Sequence, residues 1–230
     1  GPCATATGAV PSPRNCTGII MVSTEQTLQP LLIVFARALQ AGRVKTRLIP
    51  DFGEQGALRL YRFLLTRTIA AACRFPGKVE LWLDRPDQEL QALAGRNGWS
   101  CRLQQGADLG EKMALALNRG LEQADKVVLV GSDCAVLDQG YFEQALQALR
   151  TVPVVFGPSE DGGYVLIGSS RQALWHRQRF QGVRFGTEHA LADSAACFPG
   201  EQVARLPVLW DVDTRDDVLR AQSCGYLPAV

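Results

Sequence analysis

From Leu31 onward the chain alternates two kinds of apolar segment, and this alternation limits its fold more than any other feature. Short β-rich runs at 31–35, 79–83, 127–130, 152–156 and 164–167 are separated by longer stretches with helical spacing. A parallel return between strands needs a crossover long enough to hold a helix, so strands that alternate with helices form parallel sheets. The predicted fold class is therefore α/β: a mainly parallel central sheet flanked by helices, Rossmann-like in outline.

The intervening segments carry helix grammar. Across 56–72, Leu58, Leu60, Tyr61, Leu64, Leu65 and Ile69 fall near a 3.6-residue period, which predicts a helix with one buried face. Asp108 with Glu111, ahead of Met113, Leu117 and Leu121, reads as a capping box opening a second helix, and Thr214 with Asp217 repeats it. A further helix is expected over 139–149, with two weaker ones between 170 and 196.

With 230 residues, 47% of them hydrophobic, the chain can build one sizeable core, and 21–230 is read as a single domain. Residues 1–20 are aperiodic and rich in Gly, Pro, Thr and Ala. They are expected to be a foreign leader or a natively disordered arm, without chemistry in either case. The net charge of +1 supplies no field to draw the chain onto nucleic acid or an anionic membrane, so an anionic ligand must be held locally. Seven cysteines without a CxxC pair, and no apolar run of transmembrane length, lead to the expectation of a cytoplasmic protein without membrane insertion.

Four stretches can carry chemistry. The first strand ends in LLIVFAR, and the loop after it, ALQAGRVKTRL, holds Gly42, Arg43, Lys45, Thr46 and Arg47. With Arg37, four cations stand at the carboxyl end of a first strand, where open α/β sheets bind phosphate; the other reading is a solvated basic loop. No GxxxxGK[ST] is present, which disfavours a P-loop hydrolase. In KVVLVGSDC, Asp133 follows a strand apolar enough to be buried on both faces, and its carboxylate suits Mg²⁺ or Mn²⁺ or else caps the next turn.

In FGPSEDGGYVLIG, Glu160 and Asp161 precede two glycines. They are placed for acceptor contact or base catalysis, or they simply form a hairpin turn. In LWDVDTRDDVLRA, Asp211 and Asp213 either bring a second carboxylate to the same sheet edge or favour the amino end of a helix dipole. His176 and His189 fall in predicted helical segments without a nucleophile motif, and Cys134 reads as a small buried residue.

Together these stretches resemble the DUF2064 family, the arsenosugar-biosynthesis-type glycosyltransferases within the GT-A-like nucleotide-diphospho-sugar transferase superfamily. FARALQAGRVKTRL is similar to the family's FAxxPxPGxVKTRL, QQGADLGEKM to QxGxDLGERM, and GSDCAVL to GSDCPxL, while DGGYVLIG and WDVDT match directly. Leu39, Ala41 and Ala135 stand where prolines are usual, which removes a fixed φ but no reactive side chain.

The resemblance implies a GT-A fold, Asp133 and Asp213 as ligands of a divalent metal (Mg or Mn), and Arg37, Lys45 and Arg47, with Gly42 in their loop, as the phosphate site. It implies transfer of a sugar from a nucleoside-diphosphate sugar to a small acceptor, and the position of the acidic pair beside the glycine turn makes Asp161 or Glu160 the candidate base. The alternative is a nucleotidyltransferase that joins a nucleoside triphosphate to a phosphorylated or carboxylated acceptor and releases pyrophosphate. A nucleotide-binding module without turnover is a third reading, opposed by the paired carboxylates. Asp108 and Glu111 either bind nucleoside or cap the helix.

Overall fold

A computed structural model describes residues 28–228, and the expectation for residues 1–20 falls outside them. Chain order is β1 (Leu31–Ala36), α1 (Ile49–Ala72), β2 (Lys78–Leu83), α2 (Gln88–Arg96), β3 (Ser100–Leu103), α3 (Leu109–Leu121), β4 (Val127–Val130), α4 (Gln139–Ala148), β5 (Val154–Pro158), β6 (Tyr164–Ser169), α5 (Ala190–Ala196), β7 (Val203–Arg205) and α6 (Arg215–Ser223). The seven strands form one sheet in the order β3-β2-β1-β4-β6-β5-β7. All pairings are parallel except those of β6, which runs antiparallel to both β4 and β5.

The two-residue period of β1 distributes its side chains between two cores. Leu32, Val34 and Ala36 pack with Tyr61, Leu65 and Ile69 of α1, Leu90 of α2 and Phe142 of α4. Leu31, Ile33 and Phe35 face the other way, onto Met113, Leu117 and Leu121 of α3 and the aromatic group Trp175, Phe180 and Phe198. Since both faces are covered, β1 and β4 are buried along their whole length, as their unbroken apolar sequences require. A third core joins Leu48, Leu60 and Leu64 to Trp210, Val212, Val218 and Ala221, which fastens the last segment of the fold to α1.

Several elements differ from expectation. Helix α1 begins at Ile49, earlier than its periodic part, and breaks at Gly53 (φ 68°, ψ 170°) before the amphipathic stretch. β5 starts two residues later than predicted, and α2, β3 and β7 are additions. Between Ser170 and Ala196 the two weak helices reduce to a 3₁₀ turn at Gln172–Leu174 and the seven-residue α5. Glycines at 182 and 186 with positive φ interrupt this stretch, and inward-pointing aromatics hold it instead of helix periodicity. His176 lies outside any helix and His189 immediately precedes α5; both are at least partly exposed. No helix among the described residues is long and apolar enough to cross a membrane.

Candidate active site

In the sheet, the crossover from β1 leads to β2 on one side, while β4 pairs with β1 on the other. Loops leaving two such strands diverge, and the crevice between them at the carboxyl ends is where open α/β sheets hold ligands. Arg37 directly follows β1, and Asp133 stands three residues beyond β4.

Tyr61, buried on α1, ties these two loops from below. Its hydroxyl accepts from the backbone N–H of Arg37 at 2.7 Å and bonds the Ser132 hydroxyl at 2.9 Å. Burial pushes its phenol up to about 12, so it stays neutral as a bridge. The rest of the β1 loop is fastened by two acids beyond β2: Ala38 N–H donates to Asp84 at 2.8 Å and Leu39 N–H to Asp87 at 2.7 Å. A proline at position 39 could not donate this second bond, so the departure from the family pattern replaces a fixed φ with a hydrogen bond.

Beside this crevice, the Lys45 ammonium lies 2.9 Å from Oδ1 of Asp133 and 2.9 Å from Oδ1 of Asp213. Lys45 is buried, while the two carboxylates are partly open on their outer sides. Burial works to lower the pKa of Lys45, but the charges of Asp133 and Asp213 outweigh it and hold the ammonium above its ordinary value. The Lys45 backbone adopts the left-handed conformation (φ 47°, ψ 45°), unique among the non-glycine residues described. Such a conformation costs about 1–2 kcal/mol and persists where surrounding structure imposes it.

The carboxylates arrive by different routes. Buried Val212 donates its N–H to the Asp133 carbonyl at 3.1 Å, which seats the Asp-Val-Asp segment beside the β4 loop with Asp211 and Asp213 on either side of the anchor. The sequence's second capping box then forms: the Thr214 hydroxyl accepts from Asp217 N–H, and the Asp217 carboxylate accepts from Thr214 N–H. Asp211 lines the adjoining cavity, and burial together with the charge of Asp133 pushes its carboxyl up to about 8.

That cavity encloses about 460 Å³ and brings Arg37, Asp84, Gln104 and Lys112 together with Asp133 and Asp211. Gln104 is pinned by its amide N–H groups to the carbonyls of Trp82 (3.0 Å) and Ala36 (3.4 Å). Asp84, Gln104 and Lys112 were not among the residues expected from sequence. Asp84 and Gln104 are each the first residue after a parallel strand, which is the position that pointed to Arg37.

The remaining predicted residues scatter around this centre. Arg47 is exposed, with its guanidinium 3.8 Å from Asp213. Arg37 reaches the Arg43 carbonyl at 3.4 Å, and Gly42 turns the loop with φ 78°. Asp161 is exposed and accepts from Gly163 N–H at 3.0 Å. Glu160 forms a two-pronged ion pair with Arg220, which holds its carboxyl below the usual range, and Arg220 lies over the Trp210 ring. Asp108 and Glu111 act as caps: Asp108 accepts from Glu111 N–H, and the Glu111 carboxylate accepts from Ala107 N–H and pairs with Arg177. Cys134 is buried, and burial raises its thiol to about 12, so it is inert as a nucleophile at neutral pH.

Comparison with known proteins matches residues 68–187 to the family described as an uncharacterized protein conserved in bacteria (DUF2064). No curated protein sequence matches. Among solved structures, a candidate nucleotide-diphospho-sugar transferase from Desulfovibrio desulfuricans G20 is 27% identical, with a TM-score of 0.73 over 87% of this chain and 88% of that one. The 4-diphosphocytidyl-2C-methyl-D-erythritol synthase of Anaerococcus prevotii DSM 20548 is 14% identical, with a TM-score of 0.56 over 87% and 97%. A Mycobacterium tuberculosis H37Rv protein in complex with manganese is 19% identical, with a TM-score of 0.51 over 84% and 97%. The last two likenesses show a shared fold.

Proposed function

As the chain belongs to the DUF2064 family, we propose that it is a divalent-metal-dependent transferase that moves a glycosyl group from a nucleoside-diphosphate sugar to a small acceptor. The observation that carries this reading is the convergence of Asp133 and Asp213 on one positive centre at the sheet's ligand edge. Two hard oxygen donors from the protein are what Mg²⁺ or Mn²⁺ takes when phosphate oxygens and water complete its shell. Among the described residues no three His, Cys, Asp or Glu side chains group as a metal site, so a metal held by this pair would draw its remaining ligands from phosphate oxygens and water. When bound, the metal supplies charge stabilisation for the departing diphosphate.

The chain's own residues do the rest. Arg37, Lys45 and Arg47 hold the phosphates, and Gly42 shapes their loop. These cations favour the negative charge that develops on the leaving group. The neighbouring cavity receives the nucleoside. Asp161 takes the proton of the acceptor hydroxyl; Glu160, already paired with Arg220, is left as a support for the turn.

Nucleotidyl transfer with release of pyrophosphate is the second reading, and one observation favours it. The KTR of the basic loop (Lys45, Thr46, Arg47) together with the DVDT segment that holds Asp211 and Asp213 resembles phospholactate guanylyltransferase-like relatives. The test is thermal stability against nucleotide sugars, triphosphates and diphosphates, with and without Mn²⁺, followed by product analysis. A ligand at a hundred times its dissociation constant adds about 2.7 kcal/mol. Metal-dependent stabilisation by a nucleotide sugar with release of a nucleoside diphosphate is expected, and stabilisation confined to a triphosphate with release of pyrophosphate would replace this reading by the second. Turnover that survives Asp133→Ala with Asp213→Ala would remove the metal assignment.

A further inference from the structure

Resting on that reading, we infer that Lys45 is the resident cation of the Asp133–Asp213 pair, so that a divalent metal is admitted only together with a phosphate group that takes over the ammonium. The ammonium sits between the two carboxylates that would ligate a metal, 2.9 Å from Oδ1 of each. A divalent ion and an ammonium cannot both sit against those oxygens without direct repulsion between like charges. Free metal must therefore displace Lys45, and the displaced charge needs a partner.

The nearby groups show which partner is suitable. Arg37 reaches the Arg43 carbonyl, and Arg47 is exposed and only loosely associated with Asp213. With Arg43 also on this loop, a displaced Lys45 would add a fourth positive charge to Arg37, Arg43 and Arg47 and draw an anion to the group. A phosphate brought in with the metal supplies that anion and joins the ammonium to the rest of the grip. The backbone supports an exchange made by the side chain alone. Val44 and Leu48 on either side are buried, and Leu48 N–H bonds the Lys45 carbonyl at 2.8 Å, so the strained residue is clamped while its long side chain can swing.

Metal and phosphate binding are thus coupled through one lysine, and the coupling is reciprocal. Mn²⁺ alone binds weakly to the native protein, and pyrophosphate strengthens it. Removing the ammonium frees the carboxylates for metal and removes most of that strengthening.

Equilibrium dialysis of Mn²⁺ against the native protein and Lys45→Met, each with and without inorganic pyrophosphate, tests this. Without pyrophosphate, Lys45→Met should retain Mn²⁺ at least about tenfold more tightly than the native protein, within the span of typical ligand couplings. Pyrophosphate should tighten Mn²⁺ retention by the native protein more than by the variant. Adding Asp133→Asn to Lys45→Met should abolish the gain, and a gain that survives overturns the inference. Lys45→Gln, which keeps a donor but no charge, carries the same comparison if the methionine variant fails to fold. Equal Mn²⁺ affinity of native and variant proteins overturns the role of Lys45 and leaves the metal assignment standing. No Mn²⁺ retention by either protein under any of these conditions overturns the metal assignment and this inference with it.

Discussion

Two acidic corners on the ligand side of this protein are built in opposite ways. Asp133 and Asp213 meet around a buried ammonium brought by a third segment, so the geometry of that corner is fixed by tertiary structure. Glu160 and Asp161 sit on an exposed turn, Asp161 bonded within its own turn and Glu160 to an arginine at the surface. On the proposed reading, the first corner is pre-organised for a charge common to every donor. The second is left open, where the acceptor would approach.

The largest expected effect tests the chemical side of this contrast. Asp161→Asn should lower turnover by about 10²–10⁴-fold, the usual range for general base catalysis, while Mn²⁺ and pyrophosphate binding stay unchanged. A loss of metal binding in that variant would merge the two corners into one site. Next comes the support of the turn. Gly162 has φ 85°, and an added Cβ would lie 2.2 Å from the Glu188 carbonyl, so Gly162→Ala should cost about 2–3 kcal/mol in chemical denaturation. Its surviving activity should show a raised acceptor KM, and an unchanged KM would reduce the turn to a plain connection.

Tyr61→Phe probes the first corner from below. It leaves Arg37 N–H and Ser132 without their shared partner and should cost about 1–2 kcal/mol of stability, with weaker pyrophosphate binding as its functional sign. The smallest effect is expected at Glu160→Gln, where turnover should stay within about twofold of native because an exposed ion pair adds little. A tenfold fall there would give Glu160 the role assigned to Asp161.

The sequence was most legible where strands are buried on both faces. LLIVFA and VVLV could be placed because nothing polar interrupts them, and the polar residues that follow therefore fell at the ligand edge. Ser-Cys-Arg-Leu in β3 and Val-Ala-Arg in β7 are short and only partly buried, so neither carries the apolar run that marks a strand. Missing β3 also meant missing Gln104. The stretch 170–196 departs for another reason: its aromatics Trp175, Phe180 and Phe185 are five residues apart and are held by inward packing, with glycines at 182 and 186 turning the chain, rather than by helix periodicity.

At the site, the residue types and the edge they occupy were readable, and their pairings were not. Lys45 and Asp213 are 168 positions apart, and Glu160 and Arg220 are 60 apart. Only the folded chain shows that one acid of the turn is already engaged and that the lysine of the basic loop sits between the two carboxylates.

The anchoring of Val212 on the Asp133 carbonyl has a consequence for the order of events during synthesis. Strands β1 to β6 end at Ser169, well before Trp210, so most of the sheet can assemble on the ribosome while Lys45 and Asp133 still lack their third member. A nascent chain at that stage has six of its seven strands formed and its proposed catalytic corner open. Translation must carry the Asp-Val-Asp segment clear of the exit tunnel before the corner closes, which delays competence for turnover until the last part of the fold has emerged.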